Sequence, residues 1–232
     1  MEWQDWCKEL VETLGLQRTP VAISYADRPP AEAETPKCRA CSALYDASAG
    51  RVLAYSGENS ACPGGSMYLG FGEPTAEQAV RLRSFLINGE KLFSCPAAIF
   101  RSRTTGPEPP RGVAQYAIFA PLDKAPLKPD VTVIICNAWQ AARLVNLAYF
   151  ETGEAMKCDP TGALCRAAIT YPLATNRVNV TFGDVTARKM EKASENELYV
   201  SLPWTHLRSI VASLDNCSAG RAGVDLSELP TG

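Results

Sequence analysis

Val131-Thr-Val-Ile-Ile-Cys136 is a short, unbroken apolar run rich in β-branched side chains. It lacks the alternation of a half-solvated strand and reads as a strand buried on both faces. Asn137 follows as an N-cap, and Ala138 to Phe150 reads as a helix that stops at Gly153. A doubly covered strand that feeds straight into a helix points to layered packing of helices on a sheet.

The flanking sequence continues the alternation. Upstream, Pro20-Val-Ala-Ile-Ser-Tyr25, Arg51-Val-Leu-Ala-Tyr55 and Ala114 to Ala120 read as strands, and downstream so do Asn176 to Val180 and Glu197 to Leu202. Trp3, Trp6, Leu10 and Leu14 share one face of an opening helix over Trp3 to Leu16, with Gly15 near its stop. Cys38 to Ala49 is a helix ending at Gly50, Thr75 to Phe93 is a helix capped by Thr75, and Thr205 to Leu214 closes the chain. Gly57 to Gly65 reads as a turn whose glycines let backbone approach a bound group. The expected fold is α/β or α+β: a mixed sheet with flanking helices, packed as one compact body over residues 1–232.

The chain also reads as two related strand–helix halves, 17–103 and 113–202, joined by a Pro/Gly-rich connector over 104–112. Val21-Ala-Ile-Ser-Tyr25 corresponds to Val131-Thr-Val-Ile-Ile135. A second correspondence, Gly50 to Cys62 with Gly153 to Cys165, pairs Cys62 with Cys165 beside a pseudo-two-fold axis.

With 46% hydrophobic residues, 232 residues suffice for a substantial core. The 23 basic and 25 acidic residues nearly cancel, which disfavours nucleic acid and anionic lipid as partners. No segment approaches the roughly 18 consecutive apolar residues of a membrane span, and the first residues lack a signal-peptide pattern, so the expected location is cytoplasmic. GxSxG, Walker A, GxGxxG and HExxH patterns are absent.

The chain has nine cysteines and a single histidine, His206, which reads as a packing residue. One histidine cannot build a Cys/His finger or a multi-histidine zinc site, so a metal here must rely on sulfur, carboxylate or backbone ligands. Cys38-Arg-Ala-Cys41, Cys62-Pro-Gly-Gly65, Cys95-Pro96 and Cys165 are the candidate metal ligands. Their wide spacing suits an iron–sulfur cluster assembled by tertiary folding, of the 4Fe–4S kind, more than a local zinc finger. Cys41, Cys62 and Cys165 lead, with Cys38 or Cys95 as the fourth. Cys7, Cys136 and Cys217 read as buried fillers, and Cys158 is left undecided.

A redox or small-substrate-binding role follows, with a small molecule or a redox partner protein as counterpart and a homo-oligomer as an option. Structural zinc, or a metal-free small-ligand module, is the first alternative. A thiol-redox enzyme using Cys38 and Cys41 is the second. Gln140, Arg143 and Arg188 are candidate contacts for a cofactor, substrate or partner, while Asp184 reads as the cap of a polar turn.

Several of these stretches carry a family resemblance. Pro20-Val-Ala-Ile23, the Cys41 helix, Cys62-Pro-Gly-Gly65 with Leu69-Gly70-Phe71, and Pro129-Asp130-Val131 belong to it. Asn137-Ala-Trp-Gln140-Ala-Ala-Arg143 and Gly183-Asp184 with Ala187-Arg188 complete it. Together they resemble the domain-of-unknown-function 169 family of archaea and anaerobic bacteria. The resemblance implies a fold-sized unit and an anaerobic setting that would suit an oxygen-sensitive cluster. Asn137-Ala138 departs from the family's Asn-Pro.

Overall fold

The computed structural model describes residues 1–108 and 111–228. Six strands form a single antiparallel sheet: β1 (Val21–Ala26), β2 (Leu53–Tyr55), β3 (Tyr116–Pro121), β4 (Val131–Cys136), β5 (Asn179–Thr181) and β6 (Leu198–Pro203). Their order is β2-β3-β1-β4-β6-β5. Among the described residues the helices are α1 (Glu2–Leu14), α2 (Ala40–Ser48), α3 (Pro63–Tyr68), α4 (Ala76–Ser84) and α5 (Pro96–Thr105). They continue with α6 (Ala138–Tyr149), α7 (Tyr171–Thr175), α8 (Val185–Met190) and α9 (Trp204–Ala212). The mixed α/β expectation holds. Among the described residues no helix is long and apolar enough to cross a membrane.

The unbroken apolar character of β4 follows from two cores. Ile134 and Cys136 face one, while Val131, Val133 and Ile135 face the other. On the first face α1, α6 and α9 contribute Leu10, Leu14, Leu144, Leu147, Leu207 and Ile210. Trp6 stacks on Trp204 there, with centroids 5.1 Å apart. On the second face lie Ala43, Leu44 and Ala47 of α2, with Ala168 and Ile169 of a π turn (Arg166–Thr170) that runs into α7. Leu164 and Cys165 are already helical, so one continuous stretch extends from Leu164 to Thr175.

The sheet repeats itself in register. Val21 pairs with Pro121 and Ala26 with Tyr116; Val131 pairs with Pro203 and Cys136 with Leu198. At the edges Leu53, Ala54 and Tyr55 pair with Phe119, Ile118 and Ala117, as Asn179, Val180 and Thr181 pair with Ser201, Val200 and Tyr199. Thus β1-β2-β3 and β4-β5-β6 are equivalent, related by a pseudo-two-fold through the antiparallel Ala22–Thr132 pair. The boundary between the repeats lies between Pro121 and Val131 rather than at the connector over 104–112. Helix α5 reaches Thr105 within that connector, and Pro109 and Pro110 lie outside the described residues.

The repeat also changes which residues match. The Val21 and Val131 strands correspond as the sequence suggests, but α2 and α6 lie on opposite faces of the sheet. The counterpart of α2 on its own face is the 164–175 stretch, which packs on β4, β5 and β6 as α2 packs on β1, β2 and β3. Likewise α3, after β2, corresponds to α8, after β5. Cys165 is therefore matched by Cys41, the second residue of its helix in each case, and not by Cys62.

Candidate metal centre

Cys62 is positioned by local chain chemistry. Pro63 takes the first helical position, where its missing N–H is harmless, and Cys62 caps α3 in extended conformation. Its Sγ accepts the N–H of Gly65 at 3.4 Å, and Ser60 Oγ accepts the Cys62 N–H at 3.2 Å. Tyr55 and Ser60 share a hydrogen bond of 2.6 Å that braces this turn. A Cβ on Gly65 would stand 2.8 Å from the Tyr55 hydroxyl and 3.4 Å from the Ala40 methyl group. Glycine there lets α3 close on the start of α2, and so brings Cys62 towards Cys41.

The 164–175 stretch supplies Cys165. The N–H of Leu164 donates to Asp184 Oδ2 at 2.9 Å, while Asp184 Oδ1 caps α8 by accepting from Ala187 N at 2.6 Å. One carboxylate thereby fastens the starts of two helices.

Cys41, Cys62, Cys165 and Asp184 all line a single cavity of about 220 Å³. Its outer wall comes from α4, the following π turn (Phe85–Gly89) and α5, which contribute Leu82, Phe85, Leu86 and Ile99 among others. Burial pushes the Cys41 thiol up to about 12; the nearby charges of Glu191 and Cys62 add to the rise and that of Arg39 opposes it. Burial also drives Cys165 well above its ordinary value, and Cys62, Cys41 and Asp184 raise it further. Cys165 keeps some accessible surface, but its access is to the cavity it lines. Cys62 acts on both of the other thiols, which places the three within electrostatic reach. Glu191 is itself held by Arg39 at 2.8 Å and Ser42 at 2.8 Å.

The other expected ligands stand apart from the cavity lining. Cys38 forms a bridge with Ser60 and its thiol is raised, chiefly by burial. Cys95 is exposed at the cap of α5, where the Ala98 N–H and the Ser94 hydroxyl lower its thiol. Cys7, Cys136 and Cys217 are packed in the core opposite the cavity, and Cys158 is exposed. Among the described residues, no three Cys, His, Asp or Glu side chains are grouped to hold a metal ion.

The three expected contact residues are engaged by the chain itself. Gln140 is 5% exposed, donates to Gly15 O at 2.6 Å, and caps α6 through its other amide atom. Arg143 donates to Ala219 O and Gly220 O at 2.7 and 2.9 Å, anchoring the chain after α9. Arg188 donates to the carbonyls of Phe182, Glu197 and Ser194. Their donors meet backbone, and none lines the cavity.

Sequence reasoning missed the cavity position of Asp184, although its capping role was legible. Glu90 was missed as well. It lines the cavity from the outer wall, its carboxyl raised chiefly by burial and also by the charge of Asp184.

No curated protein and no solved structure matches the chain. The model of the DUF169 family, described as uncharacterised ArCR, matches residues 9–213, which is most of the sequence, and the protein belongs to that family.

Proposed function

We propose that this chain binds an iron–sulfur cluster, of the 4Fe–4S kind, through Cys41, Cys62 and Cys165. The observation that carries the reading is that these three thiols, from α2, α3 and the 164–175 stretch, line one cavity. Burial and neighbouring charges oppose ionisation of Cys41 and Cys165 unless a cation compensates. A bound metal reverses that balance and holds its ligand thiols deprotonated. A single zinc ion needs its sulfurs gathered at about 2.3 Å from one point. A cluster, whose ligands sit on different irons, suits sulfurs contributed from separate elements.

The cluster would supply one-electron transfer, or an iron able to take a small molecule. Around it the chain's own groups have distinct tasks. Leu82, Phe85, Leu86 and Ile99 line the outer wall of the cavity, while the negative charge of Glu191 favours the protonated Cys41 thiol until a metal displaces the proton. A redox or small-substrate-binding role in anaerobic, cytoplasmic metabolism fits this chemistry. A small molecule or a redox protein would be the partner. The dithiol reading of Cys38 and Cys41 has less support, since burial raises both thiols, whereas reactive cysteines have lowered ones.

Anaerobic purification tests the proposal. A brown protein absorbing near about 400 nm, with about four irons and four sulfides per chain, is the expected result. A colourless protein holding one zinc, or no metal, would refute it. Cys41→Ala, Cys62→Ala and Cys165→Ala should each lose iron, while the exposed Cys158→Ala and the core Cys217→Ala should retain it.

A further inference from the structure

We propose that Asp184 is the fourth ligand of the centre, completing a set of three thiolates and one carboxylate. The inference rests on the cluster reading above and goes beyond it by naming the group that faces the fourth iron.

The internal repeat makes the case. The two half-sheets share one register, so elements that follow equivalent strands can be compared position by position. Cys41 and Cys165 are each the second residue of the helix that precedes the edge strand. Cys62 caps the six-residue α3 after β2, and Asp184 caps the six-residue α8 after β5. Each side chain accepts the N–H three residues ahead, Gly65 to Cys62 Sγ and Ala187 to Asp184 Oδ1. The pseudo-two-fold therefore relates Cys41 to Cys165 and Cys62 to Asp184, and all four line the same cavity. A donor set arranged about a two-fold axis matches the symmetry of a cubane cluster, in which each corner iron takes one protein ligand.

The capping role of Asp184 does not exclude ligation. A carboxylate has about four lone-pair sites, and the N–H groups of Ala187 and Leu164 take one on each oxygen. Cys62 combines the same two tasks on a single sulfur. Carboxylate oxygen is a harder ligand than thiolate, so the iron at Asp184 would be the most weakly held. It is the natural position for a small molecule to bind, and the first iron to leave on oxidation.

The experiment compares the full-length chain with Asp184→Cys and Asp184→Asn, each reconstituted anaerobically with ferrous iron and sulfide. Each sample is then oxidised with stoichiometric ferricyanide and examined by low-temperature electron paramagnetic resonance. Ferricyanide takes one electron from the cluster, one ferrous ion leaves, and a three-iron cluster with its characteristic signal remains. The parent chain should convert readily. Asp184→Cys should hold its fourth iron and show a signal weaker by about tenfold. Asp184→Asn keeps an acceptor for the α8 cap but not the charge, and should load about three irons per chain even before oxidation.

Thermal unfolding of each variant establishes that the fold is retained. If all three proteins carry four irons and convert alike, Asp184 is not a ligand, while the cluster reading stands. If the parent chain assembles no cluster, both ideas fall.

Discussion

Single side chains divide here into those that hold the chain together and those that face the cavity, and their chemistry alone does not tell the two apart. Gln140 and Arg143 follow a buried strand, the usual address for ligand contacts, yet Gln140 joins α1 to α6 and Arg143 anchors the chain after α9. Replacing Gln140 with Ala removes its buried bond to the Gly15 carbonyl and leaves the Asn137 N–H without its side-chain acceptor. Urea unfolding should show a loss of about 1–3 kcal/mol. The neighbouring Trp139, 71% exposed, should tolerate the same change almost without effect.

Buried thiols provide a second test at this scale. The thiols of Cys7, Cys41 and Cys136 rise from 9.0 to about 12 on folding, chiefly through burial. The folded state thus keeps protons that the unfolded chain releases. This contribution to stability is complete below about pH 9 and is lost as pH rises towards about 12. Melting temperatures of the metal-free protein should fall steadily across that window. Iron-loaded protein should fall less steeply, because Cys41 and Cys165 would already be deprotonated; identical slopes would count against their being ligands.

At the level of elements, the sequence was most legible where local signals and burial agree. Strand β4 falls on the expected residues because a run of β-branched side chains between two cores has no competing conformation. Asn137 caps α6 as expected, and Gln140, read from sequence as a ligand contact, completes the cap with a reciprocal bond. The helix expected over Thr75 to Phe93 stops at Ser84 and opens into a π turn. Helix α3 was hidden by Gly64 and Gly65, which weaken helical propensity but are tolerated because Gly65 packs against Tyr55. The 164–175 stretch was hidden by Pro172 and the π turn, which erase the 3.6-residue period. Two of the three cavity cysteines begin or cap these unread helices, which is why the candidates were visible as residues but not as a geometry.

The outer wall of the cavity is only shallowly embedded. Helix α4 and its π turn bury no residue fully, and α5 buries only Ile99. Few buried contacts mean a low local opening energy. Amides over 76–105 should exchange with deuterium well before those of β1, β3 and β4, and iron loading should slow the outer wall selectively. Uniform protection across both regions would contradict this view of the wall.

Across the whole molecule the duplication was partly readable. The likeness of Val21-Ala-Ile-Ser-Tyr25 to Val131-Thr-Val-Ile-Ile135 marks equivalent strands, because both occupy the centre of the sheet and face two cores. The glycine-to-cysteine interval does not mark equivalent positions. Sequence separation is preserved within strands, where pairing fixes register, but not across loops, where the outer wall and α6 are inserted at different places. Only pairing partners across the sheet reveal that Cys41 corresponds to Cys165.

The β1–β4 seam also makes the molecule divisible into two complementary polypeptides. Residues 1–127 contain Cys41 and Cys62, and residues 128–232 contain Cys165 and Asp184, so neither piece holds the whole donor set. Produced separately and mixed, they should pair across the seam as a one-to-one complex, detectable by sedimentation. Under the proposed ligand set, iron uptake would then become a bimolecular event, negligible in either piece alone and dependent on the concentration of both.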